Sequence, residues 1–119
     1  MSVNDTIRSE PLLSTTAAWN GAAYTAYPTG APELTVLRMS IPANASLAWH
    51  THPMPNAAYI ISGELTIELP DGTGRRFTAG EVIAEMVDTV HRGMAGDQPV
   101  VVAFHAGVQG MPLSIARAK

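Results

Sequence analysis

The stretch His50-Thr51-His52-Pro53-Met54-Pro55-Asn56-Ala57-Ala58-Tyr59-Ile60-Ile61-Ser62-Gly63 decides how this chain is read. Its two histidines stand one residue apart. Side chains alternate between faces on an extended backbone, so both imidazoles project to the same side. Helical metal sites use a spacing of four instead, so the pair points to a β scaffold. His91 offers a third imidazole from a distant segment. Three nitrogens arranged on one face suit Zn, Fe, Ni, Cu or Mn. Three of the four histidines in the chain fall into this pattern. A histidine pair is also an ordinary feature of exposed loops, and what favours a metal is the apolar, β-rich sequence around it.

Outward from that stretch the chain alternates short apolar runs with turn residues. Leu34 to Ile41 predicts a strand ended by Pro42, and Ala57 to Ile61 another, stopped at Ser62-Gly63. Glu64 to Leu69 alternates polar with apolar, and Pro70-Asp71-Gly72-Thr73-Gly74 is a hairpin turn returning through Arg75 to Thr78. Ala79-Gly80 turns into Val82 to Val87, and Pro99 introduces a last strand from Val100 to Phe104. Residues 1–30 read as an N-terminal arm with one or two short strands, and residues 31–119 as the barrel or sandwich it packs on. There is no long amphipathic helix, repeat or linker. The sequence reads as one all-β domain.

Composition narrows the function. Of the 119 residues 46% are hydrophobic and 14% charged, which excludes a disordered chain. The net charge of −3 and the lack of any basic run longer than Arg75-Arg76 leave no source of attraction for nucleic acid or an anionic membrane. A small molecule and a second copy of the chain are the expected partners. With no cysteine, any metal must be held by nitrogen and oxygen. The N-terminus lacks the basic and apolar regions of a signal peptide, so cytoplasm is the default location, or periplasm where a leader has been removed.

With these residues in place, the chain resembles a small single-domain cupin. The first motif of that family has the form G-x5-H-x-H-x3,4-E-x6-G and its second G-x5-P-x-G-x2-H-x3-N. Here the first runs from His50 to Gly63, with Asn44 where the opening Gly belongs. The second runs from Gly80 through His91, with Met86 for the Pro, Asp88 for the Gly and Ala95 for the Asn. The resemblance spans roughly residues 34–105, and it extends to short bacterial cupins of mostly unassigned function. It implies an antiparallel jelly-roll barrel holding one divalent transition metal (Fe, Mn, Ni, Zn or Cu) on three His and one Glu. The ligands it implies are His50, His52 and His91, and the position of the Glu is Asn56. Three readings of that departure stand open. Water completes a three-His site, or Asn56 coordinates through its carbonyl oxygen or orients a water. In the third reading Glu85, six residues before His91 and of the same parity, supplies the carboxylate as ligand or base.

Arg38, Trp49, Tyr59 and Met86 are candidates for lining a substrate pocket, although Arg38 has the opposite parity to its apolar neighbours and reads first as solvent-facing. His105, after Phe104 at the expected strand end, reads as exposed and outside the ligand set. The family-level expectation is a metal-dependent enzyme on a small organic molecule, of dioxygenase-like or isomerase/lyase type. The alternatives are a non-catalytic binding or sensing module with a structural metal, and a structural dimer stiffened by its metal. Small cupins commonly pair through sheet edges or N-terminal arms, so a homodimer is expected.

Overall fold

A computed structural model describes residues 6–119, and the first five residues of the expected arm lie outside the described residues. Among the described residues nine strands form in order: β1 (Pro32–Ser40), β2 (His50–Thr51), β3 (Asn56–Ser62), β4 (Glu64–Glu68), β5 (Gly74–Thr78), β6 (Val82–Ala84), β7 (Arg92–Ala95), β8 (Val100–Val108) and β9 (Ile115–Ala116). One sheet has the order β1-β8-β3-β6, and every pairing in it is antiparallel. Opposite it lies β5-β4-β7; a single bridge joins Ser46 to Met94 of β7, and another joins His50 of the β2-β9 pair to His91 just before β7. This is an all-β jelly roll of the cupin type.

Period-two alternation builds both walls. On β1, Thr35, Leu37 and Met39 turn inward while Leu34, Val36 and Arg38 turn out. Asn56, Ala58 and Ile60 of β3 and Val101, Ala103 and His105 of β8 do the same on the neighbouring strands. Ile60, Leu65, Ile67, Phe77, Ile83 and Val101 fill one end of the space between the sheets. The other end stays open and becomes the site.

Residues 16–24 seal the core end with an Ala17–Ala23 bridge rather than a strand. Trp19 meets Phe77 edge-on at 6.1 Å, and its backbone N–H donates to the Ala84 carbonyl at 3.0 Å. Tyr24 donates its hydroxyl to the Glu85 carbonyl at 2.6 Å. The segment before it, from Thr6 to Thr16, has no regular secondary structure, and Ile7, Leu12 and Leu13 are exposed.

Two strand expectations change. The run from Val82 to Val87 is a strand only to Ala84, because Asp88 takes φ 57° and turns the chain, its N–H donating to the His52 carbonyl. The last long strand continues past Phe104 to Val108, since β1 pairs with it along its whole length.

Candidate metal centre

The short β2 carries His50, and His52 follows directly on the same face. His91 precedes β7 and is held against His50 by reciprocal backbone hydrogen bonds of 2.9 and 3.0 Å. The three ring centroids lie 4.4 to 5.0 Å apart, and one donor atom from each ring falls within 4.8 Å of the others. His52 and His91 are buried, while His50 is half-buried.

Each ring is oriented from behind. Nδ1 of His50 meets the Ala48 carbonyl at 2.7 Å, that of His52 the Leu113 carbonyl at 2.9 Å, and that of His91 the Thr89 carbonyl at 2.8 Å. A carbonyl can only accept, so each Nδ1 carries a proton and each neutral ring keeps its lone pair on Nε2. Backbone carbonyls commonly fix the tautomer of metal-binding histidines in this way.

Glu85 follows β6 and is buried. Its Oε2 stands 3.3 Å from His91 Nε2 and 3.9 Å from His52 Nε2, within pairing distance but off hydrogen-bond geometry at His91. Its Oε1 and His91 Nε2 are buried without a hydrogen-bond partner among the described residues. The carboxylate falls outside the set of mutually close donor atoms, which holds imidazoles alone. Buried polar atoms left unpaired are costly. A cation among the three imidazoles would satisfy His91 Nε2, so the donor set fits a divalent transition metal.

The electrostatics favour the neutral ring at two of the three positions. Burial lowers His50 and takes His52 down to about 4, against the opposing pull of the carbonyls and Glu85. Burial also works to lower His91, but the adjacent Glu85 carboxylate outweighs it and raises that ring.

The imidazoles line a cavity of about 330 Å³. Leu37, Met39, Leu47, Ile67 and Leu113 supply much of its apolar wall, and Asn56, Glu85, His105 and Ser114 its polar groups beside the three imidazoles. No lysine or arginine lines it among the described residues. Asn56 faces the cavity from β3, and its Nδ2 donates to the Met54 carbonyl at 3.1 Å, which leaves the carboxamide oxygen free. Trp49 also lines the cavity, its ring flanked by Arg92 at 4.6 Å and Lys119 at 5.6 Å.

Three expected pocket residues do not line it. Arg38 pairs with Val102 on β1 and projects from the outer face, as its parity requires. Tyr59 has the outward parity of β3 and is 37% exposed. Met86 is fully buried in the apolar core, where it packs rather than faces a ligand. His105 departs the other way: it is only 4% exposed and lines the cavity. The sequence carried its signal, for Val101, Ala103 and His105 share one parity, but ending the strand at Phe104 concealed it.

The family model of the cupin domain matches residues 37–106. A comparison with curated proteins gives no match. Among solved structures, a double-stranded β-helix protein from Klebsiella pneumoniae is 17% identical over 96% of this chain and 100% of its own, with a TM-score of 0.57. The polyketide cyclase RemF from Streptomyces resistomycificus is 20% identical over 72% of this chain and 61% of its own, at 0.59. The DMSP lyase DddQ from Ruegeria pomeroyi is 18% identical over 81% of this chain, at 0.57, and the match spans 46% of the lyase. At these identities the likeness establishes the fold alone.

Proposed function

This chain belongs to the cupin family, whose domain spans residues 37–106, and on that footing we propose that it is a mononuclear metalloenzyme acting on a small organic molecule held in its cavity. The observation that carries the reading is the locked tautomer of all three rings, with Nδ1 of each spent on a backbone carbonyl. Three lone pairs then point into one half-enclosed space beside a buried carboxylate. A bound divalent transition metal supplies a Lewis acid for oxygen atoms of the substrate.

The chain's own groups do the rest. The apolar walls exclude water and hold the carbon skeleton. Glu85, with one oxygen beside His91 and the other unpaired, is suited to accept a proton from a carbon next to a carbonyl and return it elsewhere. That is proton transfer of the isomerase or lyase type.

Metal analysis of protein purified without added metal tests the centre. One transition-metal equivalent per chain is expected, with most of it lost in His50→Ala, His52→Ala and His91→Ala. Equal metal content in all four proteins refutes the site. Glu85→Gln should keep its metal and lose turnover about 100-fold. Oxygen uptake during turnover by the wild type would replace the proton-transfer reading with a dioxygenase one.

We infer also that the chain is a homodimer. Leu34, Val36, Tyr59, Ile61 and Phe104 are exposed together on the outer face of the β1-β8-β3-β6 sheet.

A further inference from the structure

The cavity has a second polar wall that the metal ligands leave unused. Asn56 and His105 are directly opposed in the β3–β8 ladder, and both side chains turn inward. Both are buried and both line the cavity. The His105 ring lies 5.8 Å from that of His52, so this pair adjoins the imidazole cluster.

Neither residue is explained by packing. Nδ1 of His105 is buried without a hydrogen bond of good geometry among the described residues, although the Thr35 backbone on β1 lies near enough to act on the ring. The neighbours of His105 along the same inward row are Ala103 and Gly107, and an apolar side chain would fill the position without leaving a polar atom unpaired. Asn56 spends its Nδ2 on the Met54 carbonyl, so its oxygen is an acceptor facing the cavity. Together the pair offers an acceptor from the carboxamide and a donor-acceptor imidazole.

We propose that His105 and Asn56 form an orienting subsite for a neutral substrate that carries a hydroxyl beside a carbonyl, as in an α-hydroxy ketone or its enediol. The carboxamide oxygen of Asn56 accepts the substrate hydroxyl, and His105 hydrogen-bonds the adjacent oxygen. The class follows from the lining. Phosphates and polycarboxylates need cationic partners, whereas this cavity has no Lys or Arg and contains the Glu85 carboxylate. A carboxylate head would also meet the Asn56 oxygen, acceptor against acceptor. In this scheme His105 is a positioning residue, neither metal ligand nor base. The inference rests on the metal-centre reading above.

Cobalt-loaded protein tests both readings separately through its visible spectrum. Acetohydroxamic acid, neutral near pH 7 with a hydroxyl beside a carbonyl, probes the subsite, and azide probes only an open metal position. Azide should bind the wild type and His105→Phe with equal affinity. Acetohydroxamic acid should bind His105→Phe about tenfold more weakly, and His105→Gln, which keeps a donor, should recover most of the loss. Equal hydroxamate affinity in the wild type and His105→Phe overturns the subsite while azide binding leaves the metal centre standing. Loss of cobalt from His105→Phe at unchanged melting temperature also overturns it, since His105 would then be a ligand. Failure of both probes to perturb the wild-type spectrum defeats the metal reading and the subsite together.

Discussion

At Gly63 the backbone takes φ +71° just after the register shift in β3, and a Cβ built there would lie 2.3 Å from the Asp97 carbonyl oxygen. Both the left-handed backbone and the backbone contact oppose any side chain. Gly63→Ala should therefore destabilise the fold by about 2–4 kcal/mol, combining the two penalties. Urea denaturation measures this, and an unchanged midpoint would contradict the local account. The motif departures at Asn44 and Asp88 obey the same physics. They stand where the family pattern has glycine, and among the described residues they are the two non-glycine positions with positive φ, 62° and 57°. Asn and Asp tolerate that region best among side-chain-bearing residues. The motif was thus legible because the substitutions preserve the backbone it encodes. The sequence named Glu85 as the one candidate carboxylate but left open whether it, Asn56 or water completes the site, because Glu85 reaches the rings from beyond a strand end. A pH effect also belongs to single residues. The unfolded chain protonates its histidines near 6.5, whereas folded His52 resists until about 4, so stability from this group is present above 6.5 and lost as pH falls toward 4. His50 and His105 are lowered likewise, chiefly by burial. His91 acts oppositely: its folded value is raised, so its contribution is full below 6.5 and lost as pH rises through that value. The His91 effect therefore falls above pH 6.5, and below it only the three lowered rings change stability with pH. The melting temperature of chelator-treated protein should fall between pH 6.5 and 4, and less steeply in His52→Gln; a flat profile would refute the assignment.

Among elements, the smallest pair governs the site most directly. β2 and β9 contribute two residues each, pairing His50 with Ala116 and Thr51 with Ile115. Two residues carry no periodicity, so sequence pattern cannot reveal such strands, and the C-terminal segment gave no sign of its place. Long elements were legible for the converse reason: the alternation along β1, β4 and β8 sorts each side chain to a face before any pairing is known. The C-terminal segment matters because the Leu113 carbonyl holds His52 Nδ1, while Arg117 donates to Thr51 Oγ1 at 3.2 Å and its N–H to the Trp49 carbonyl at 2.9 Å. Removing residues 112–119 takes away the group that fixes one ligand's tautomer without touching a ligand. Loss of such a partner typically weakens metal affinity 10–100-fold. Competition with a colorimetric chelator should show a loss of that size in the truncated chain, with the outer sheet intact by circular dichroism. Unchanged affinity would mean that His52 is oriented by its other neighbours.

For the whole molecule, the two sheets differ sharply in what they leave to solvent. The outer face of the three-stranded sheet carries ion pairs, Arg76 with Glu64 and Arg92 with Glu68. The outer face of β1-β8-β3-β6 instead exposes Leu34 at 69%, Val36 at 63%, Ile61 at 45% and Phe104 at 40%. Val36 lies directly beside Phe104 in the ladder, and Tyr59 beside Val102 and then Arg38, so these side chains form one continuous surface. A monomer rarely leaves so large an apolar surface in water, and an edge strand such as β1 invites pairing as well. A second copy is the partner whose matching surface is certain to be present, and a two-fold axis would set like face on like face. Ile7, Leu12 and Leu13 of the N-terminal segment are exposed as well and offer further apolar area to a partner. Light scattering should therefore give twice the 12.6 kDa chain mass for the wild type. Val36→Glu with Phe104→Glu should give a single chain mass at unchanged metal content, because both side chains point away from the cavity. A monomeric wild type, or a double variant still at twice the chain mass, would remove this face as the interface.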